Sequence, residues 1–162
     1  MTLTLPPPVD EAVRPLLRAL PPDRAMGRLV PTEPLEAAYT LLVEKLVVLP
    51  AIAAQPSLIA ALWLYVDALD RSHKVSQTIE DATGSFWHGI MHRREGDFSN
   101  SHYWFNRAGT HPAMKSIEGY DPHQLIDEVK KTHAQGDRAE LVELQRREWI
   151  SLFEWCCVNA PA

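Results

Sequence analysis

Cysteine is nearly absent from this chain: of 162 residues only Cys156 and Cys157 carry thiols, and they are neighbours. Two adjacent cysteines cannot build a disulfide framework, so a reducing compartment is expected, with both side chains small and buried rather than a redox couple. A basic excess is missing as well, since the net charge is −5 and the sequence pI about 5.8. Duplex nucleic acid carries dense negative charge, so a general binder of its backbone is not expected here. Stacked aromatics would suit a single-stranded nucleic acid, but the net charge weighs against that too. There is no long apolar run: Leu46 to Leu69 is broken by Pro50, Gln55, Pro56 and Asp67. That stretch reads as a packed helix or two, not a membrane span. The opening residues MTLTLPPPVDE have neither a basic start nor an apolar core, so a secretory leader is not expected. A cytoplasmic protein without membrane contact follows as the expectation.

Several catalytic signatures are also wanting. No G-x-S-x-G elbow occurs, and Ser85, Ser99 and Ser101 read as caps and turn residues. Gly84, Gly89 and Gly96 fit neither the P-loop nor the dinucleotide-binding spacing. Repeats, low-complexity tracts and convincing strand pairs are lacking.

What is present is helical periodicity. The hydrophobic content of 46% and charged content of 23% suit a globular protein, and 162 residues suffice for one domain that buries about two thirds of its unfolded surface. Residues 1–34 are punctuated by proline and leave room only for a short helix near Val9 to Leu20, as an arm packed on the domain through Leu16, Leu17 and Leu20. Residues 35–162 are expected to form a single all-α domain, bundle-like, of five to seven helices. Leu35 to Leu49 has apolar residues at helical spacing and ends at Pro50. A helix capped by Ser57 would run Leu58, Leu62, Tyr65, Val66, Leu69, and its face continues into His73, Ser76, Gln77 and Glu80. An inward face that turns polar needs partners, water or a ligand, unless the helix leaves the core after Leu69. Asp121-Pro122 starts a helix to about His133, and a last helix, about Arg138 to Val158, carries Glu148 in the middle of its apolar face. That carboxylate needs a cationic partner, unless it borders the stripe and reaches water.

The densest chemistry lies in Ser85 to Arg107, SFWHGIMHRREGDFSNSHYWFNR. After a turn at Ala82–Gly84, Ser85 would cap a helix to about Glu95, with Phe86, Trp87, Ile90 and Arg94 on one side and His88, Met91, His92 and Glu95 on the other. His88, His92 and Glu95 form an H-x-x-x-H-x-x-E array, and two histidines with a carboxylate are the ligand set of catalytic zinc and of non-haem iron. His73, Glu80, His102 or Glu148 would complete such a site from neighbouring helices. Without a metal, His88, His92, Glu95 and His102 read as catalytic acid–base groups. Arg93, Arg94 and Arg107 would then hold an anionic group, with His73, Gln77, Trp87, Tyr103 and Trp104 completing an aromatic-walled pocket. In the structural alternative the histidines and tryptophans are core residues and the charges a solvated face.

The run GSFWHGIMHRREGDFSNSHYWFNRAGTHP, preceded by ALWLYVDALDRSHKVSQTIE, resembles a group of uncharacterised bacterial and fungal proteins. The resemblance covers about Ala60 to Pro112 and implies a natural unit that includes His73 and Gln77; it brings no activity, cofactor or substrate.

Two functional expectations follow. In the first, the chain binds a small anionic or sugar-like molecule, with or without catalysis, at a His/Glu/Arg pocket lined by aromatics, with or without a divalent metal such as zinc or iron. In the second it is a non-enzymatic interaction or oligomerisation module, docking a partner or a second copy through Tyr103 to Phe105.

Overall fold

Proline decides where many of the helices begin. Its ring pre-sets φ for the first helical turn, where a missing N–H costs nothing. In the computed structural model, which describes residues 2–159, prolines open α1 (Pro7–Ala19), α3 (Pro50–Ala53), α4 (Pro56–Tyr65) and α8 (Pro122–Thr132), as well as a 3-10 turn at Pro112–Ser116. The other helices are α2 (Ala37–Leu46), α5 (Leu69–Ser76), α6 (Ala82–Arg94), α7 (Phe98–Ala108) and α9 (Ala139–Val158). Among the described residues there are nine α-helices and no strand, so the all-α class holds but the count exceeds the expected five to seven. No helix among them is long and apolar enough to cross a membrane. Residues 1 and 160–162, the outer limits of the expected arm and domain, lie outside the described residues.

The surplus has a definite origin. The expected single helix from Ser57 to Glu80 is two helices, because the chain breaks at Val66-Asp67-Ala68 and Asp67 adopts a left-handed φ of 59°. Short polar Asp tolerates that conformation better than most residues, but it still costs energy that the surroundings must repay. They do: the buried Asp67 carboxylate receives a 2.5 Å hydrogen bond from Arg94. Gln55, not Ser57, is the residue before α4, and Pro56 takes the first helical position. The expected turn Ala82-Thr83-Gly84 is likewise helical, because Asp81, not Ser85, caps α6 by accepting from the Gly84 N–H at 2.9 Å. A Cβ on Gly84 would lie 2.0 Å from the Ile79 carbonyl oxygen, so only glycine admits this approach.

The core runs the length of the sequence. Val13 and Leu16 of α1 are fully buried against it, and the Tyr65 hydroxyl donates to the Leu20 carbonyl at 2.6 Å. The Trp149 indole N–H of α9 reaches the Ala61 carbonyl of α4 at 2.9 Å, and its ring stacks on Phe153 at 4.6 Å. Through the middle passes α6, with every residue from Thr83 to Arg94 buried. A helix covered on all sides has no solvent face, so the two-sided division expected for it does not exist in the structure.

Its last two residues are fully buried arginines. Arg93 meets Glu148 of α9 through two parallel hydrogen bonds of 2.9 and 2.6 Å, and the Tyr120 hydroxyl also donates to that carboxylate. The mid-face carboxylate of α9 thus has the cationic partner its position demanded. Arg94 donates to Asp67, to the Leu64 carbonyl at 2.8 Å and to the Arg28 carbonyl at 3.1 Å. Gln145 adds hydrogen bonds to the Met26 and Arg28 carbonyls at 2.9 and 3.1 Å.

Replacing one member of such a pair strands the other charge in the interior, a loss of about 3–5 kcal/mol, whereas an exposed ion pair contributes about 0–1 kcal/mol. Glu148→Gln is therefore expected to lower the unfolding free energy by about 3–5 kcal/mol. Glu44→Gln, which breaks the half-exposed pair with Arg71, should change it by less than about 1 kcal/mol. Urea unfolding followed by circular dichroism measures both, and equal effects would show that the Arg93–Glu148 pair is not uncompensated when broken.

Candidate metal centre

Three imidazoles meet where α5 crosses α6. Residues four apart stack on a helix, so His88 and His92 lie parallel, with ring centroids 4.8 Å apart and planes 9° from one another. His73 comes from α5, which is tied down one residue earlier by Ser72: its hydroxyl donates to the Ala60 carbonyl of α4 at 2.9 Å. The His73 ring stands 4.8 Å from that of His88 and 5.2 Å from that of His92, steeply inclined to both. One nitrogen from each of the three lies within 4.8 Å of the others.

His88 carries the cost of this arrangement. It is only 3% exposed, and both of its ring nitrogens are buried without a hydrogen-bond partner. Buried polar groups left unpaired cost roughly 1–3 kcal/mol each. A flat cover lies over the ring: Trp104 of α7 stacks on it with centroids 3.9 Å apart and planes at 12°. Gly89 makes that closeness feasible, because a Cβ there would meet the Phe105 ring at 2.7 Å, and Ser101 bonds the Gly89 carbonyl at 2.7 Å. Burial, reinforced by repulsion from His92 and His73, pushes His88 down to about 4. Burial and then His73 lower His92 as well. At neutral pH these are unprotonated rings, the form that ligates metal ions.

Two carboxylates flank the cluster on one side. Glu95 Oε2 is 3.6 Å from His92 Nδ1, and Asp97 Oδ2 is 3.9 Å from it. Neither contact is a hydrogen bond, and His92 Nδ1 counts among the buried atoms without a partner. Glu95 is held above the usual carboxylate range, by burial first and then by repulsion from Asp97 and Asp70, against the pull of His73. For Asp97, burial is outweighed by two hydrogen bonds from Asn100, which keep its carboxyl low.

The residues expected at one site are distributed over several places. His73, His88 and His92 come together with Trp104, but Glu95 groups with His92 and Asp97 rather than with His88, so the one-helix triad His88–His92–Glu95 is replaced by a three-histidine set from two helices. The reason is reach: His88 and Glu95 are two turns apart, and α6 ends between them and the loop. Arg93 and Arg94, expected to hold an anion, are taken up by Glu148 and Asp67. Trp87 is fully buried, with its ring 6.4 Å from that of Trp149. His102 sits apart, its Nδ1 2.7 Å from His123 Nδ1 and its Nε2 3.0 Å from Asp127. Gln77 is exposed. Tyr103 is 51% exposed, and Arg107 lies over the Tyr103 and Trp104 rings on the outer surface. Asp97 was missing from the expected site; its sequence signal is an N-cap pattern, which hides a second role. Comparison with protein-family models, with curated proteins and with solved structures gives no match.

The depressed His88 makes a prediction about pH. The unfolded chain takes up a proton near 6.5, while the folded protein resists until about 4, so more protons are bound in the unfolded state between these values. Stability of the metal-free protein should be at its plateau above about 6.5, fall as the pH drops through that window, and stop responding to this group below about 4. Urea midpoints at pH 7.5, 6 and 5, taken with metal chelated, measure it; the fall should shrink in His88→Phe. A midpoint that does not move, or moves equally in the variant, contradicts the assignment.

Proposed function

We propose that this chain is a metal-dependent protein that holds one divalent transition-metal ion on His73, His88 and His92. The observation that carries the reading is His88: a buried imidazole with two unpartnered nitrogens, set beside two more imidazoles. An ion satisfies a ring nitrogen that nothing else in the structure satisfies. A tetrahedral ion about 2.1 Å from each nitrogen needs them about 3.4 Å apart, so binding draws the rings inward from their spacing of up to 4.8 Å.

Imidazole donors suit zinc and iron, and three protein ligands leave a position for water or substrate, the arrangement of a catalytic rather than a structural ion. Glu95 and Asp97 beside His92 fit the part of carboxylates that orient a ligating ring without touching the ion. Glu95, with its carboxyl raised, is also the group suited to exchange a proton with a bound molecule. The function these features support is binding, and metal-assisted conversion, of a small polar molecule. One observation favours a second reading, in which the cluster is a structural element of an interaction module: Trp104 already fills the space over His88, and the exposed Tyr103 beside it offers a docking surface.

The two readings part on metal content. Tag-free protein purified without chelators should carry about one equivalent of zinc, iron or manganese by elemental mass spectrometry. The His88→Ala/His92→Ala double variant should carry none while keeping its helical circular dichroism. Zinc at about a hundred times its Kd should stabilise the wild-type protein by about 2.7 kcal/mol and leave the variant unmoved. Absence of metal in the wild-type protein, even after reconstitution with zinc and with iron(II) under anaerobic conditions, removes the metal reading.

A further inference from the structure

We infer that His92 Nδ1, Glu95 and Asp97 hold a divalent cation of their own, separate from the ion proposed for the three imidazoles and not dependent on it. One nitrogen and two carboxylate oxygens here lie within 4.8 Å of one another. Glu95 Oε2 is 3.6 Å and Asp97 Oδ2 3.9 Å from His92 Nδ1, both too long for a hydrogen bond. A tetrahedral ion with bonds of about 2.1 Å needs its donors about 3.4 Å apart, so each of these spacings closes by about half an ångström or less. One imidazole and two carboxylates, completed by water, suit zinc, iron(II) or manganese.

The way α6 ends builds this arrangement. Glu95 is the residue that closes the helix, Gly96 takes a left-handed φ of 84°, and the Asp97 N–H donates back to the His92 carbonyl at 2.9 Å. A helix that closes on glycine in this manner returns the chain onto its own last turn, which sets Glu95 and Asp97 on either side of the turn beside His92. Asp97 is then fixed by a second task at the start of α7. Its Oδ1 accepts from the Asn100 N–H at 3.2 Å and its Oδ2 from the Asn100 side-chain amide at 2.6 Å. Each oxygen keeps a further lone pair for an ion.

The nitrogen is what distinguishes this place from a solvated acidic turn. His92 is 6% exposed, and its Nδ1 is buried without a partner although two carboxylates stand beside it. The side chains of Glu95 and Asp97 are each 37% exposed, so an ion enters from their side and takes its water ligands there. A cation that has shed its water is smaller than the water molecule to which Nδ1 is closed. With Nδ1 given to this ion, Nε2 is left to the ion of the three imidazoles. When both are bound the ring releases its remaining N–H proton to water. Two divalent ions on one ring repel each other, and the two carboxylates offset only part of that charge. This ion is therefore the weaker of the two and fills when zinc is in excess.

Zinc counted by equilibrium dialysis and elemental mass spectrometry at pH 7.5 tests the site. Wild-type protein should reach two equivalents, the second at least tenfold weaker than the first. His73→Ala/His88→Phe, which keeps an apolar ring under Trp104, should retain one. Glu95→Gln/Asp97→Asn should also retain one, and Asn caps α7 as well as Asp does. The four substitutions together should hold none. Two equivalents in Glu95→Gln/Asp97→Asn, or none in a folded His73→Ala/His88→Phe, overturn the inference. Should His73→Ala/His88→Phe lose its helical circular dichroism, the other pair decides alone: a fall from two equivalents to one upholds the site, and any other count overturns it. A single wild-type equivalent that survives Glu95→Gln/Asp97→Asn overturns this site and leaves the three-imidazole ion standing. One that both variants lose marks a single shared ion and also overturns it. One that only Glu95→Gln/Asp97→Asn loses upholds this site and removes the ion of the three imidazoles.

Discussion

The pair of adjacent arginines at the end of α6 is the constraint on which the rest of the structure depends. Two guanidiniums cannot be taken out of water without two carboxylates and several carbonyls to receive them, and the chain supplies these from distant segments. Arg93 fixes α9 through Glu148, 55 residues away, and Arg94 fixes the break between α4 and α5 through Asp67 and Leu64. The loop after α1 is held by its carbonyls at Met26 and Arg28. Both non-glycine residues with left-handed backbone among the described residues, Met26 and Asp67, offer a group to this network. Strain of this kind persists only where the surroundings over-determine it, and here the demand of a buried cation does so.

Much of the site's position follows from that anchoring. An α6 clamped at its C-terminal end and covered on every side has little freedom to rotate, so His88 and His92 must present their rings toward α5. The break at Asp67 that satisfies Arg94 also ends α4 and lets α5 set off in a new direction, bringing His73 across to them. The same two residues of sequence thus organise the core and aim the imidazoles without contacting a ligand themselves.

The sequence made parts of this legible and hid others for physical reasons. The H-x-x-x-H spacing is a local property of a helix and survives intact as the parallel pair. The polar continuation of the α4 stripe pointed to His73, although through a continuous helix that does not exist; no Gly or Pro marks the break, because its cause is Arg94, 27 residues away. Glu148, alone on an apolar face, announced a partner by its cost, but it could not say which arginine. Arg93 and Arg94 suggested an anion site because a buried and an exposed arginine are the same letter; only the tertiary structure distinguishes a guanidinium already neutralised from one that is free. The faces assigned to α6 failed because periodicity reports a boundary between core and water, and this helix has none.

The resulting electrostatic layout is ordered from inside to outside. Innermost are two fixed cations, each cancelled by its own carboxylate. Next come His88 and His92, which burial keeps neutral and whose nitrogens His88 Nδ1, His88 Nε2 and His92 Nδ1 lack hydrogen-bond partners. Outermost are Glu95, Asp97 and Asp70, where burial first and then repulsion from the neighbouring carboxylates raise the Glu95 carboxyl. A positive charge lowers the energy at the outer layer by relieving this repulsion, and a metal ion does so at the middle layer by ligation. The guanidiniums of Arg93 and Arg94 add no positive charge to this surface, since both are spent within the core. Their charge therefore shapes the region through the positions it imposes on α4, α5, α6 and α9 rather than through the surface they leave behind.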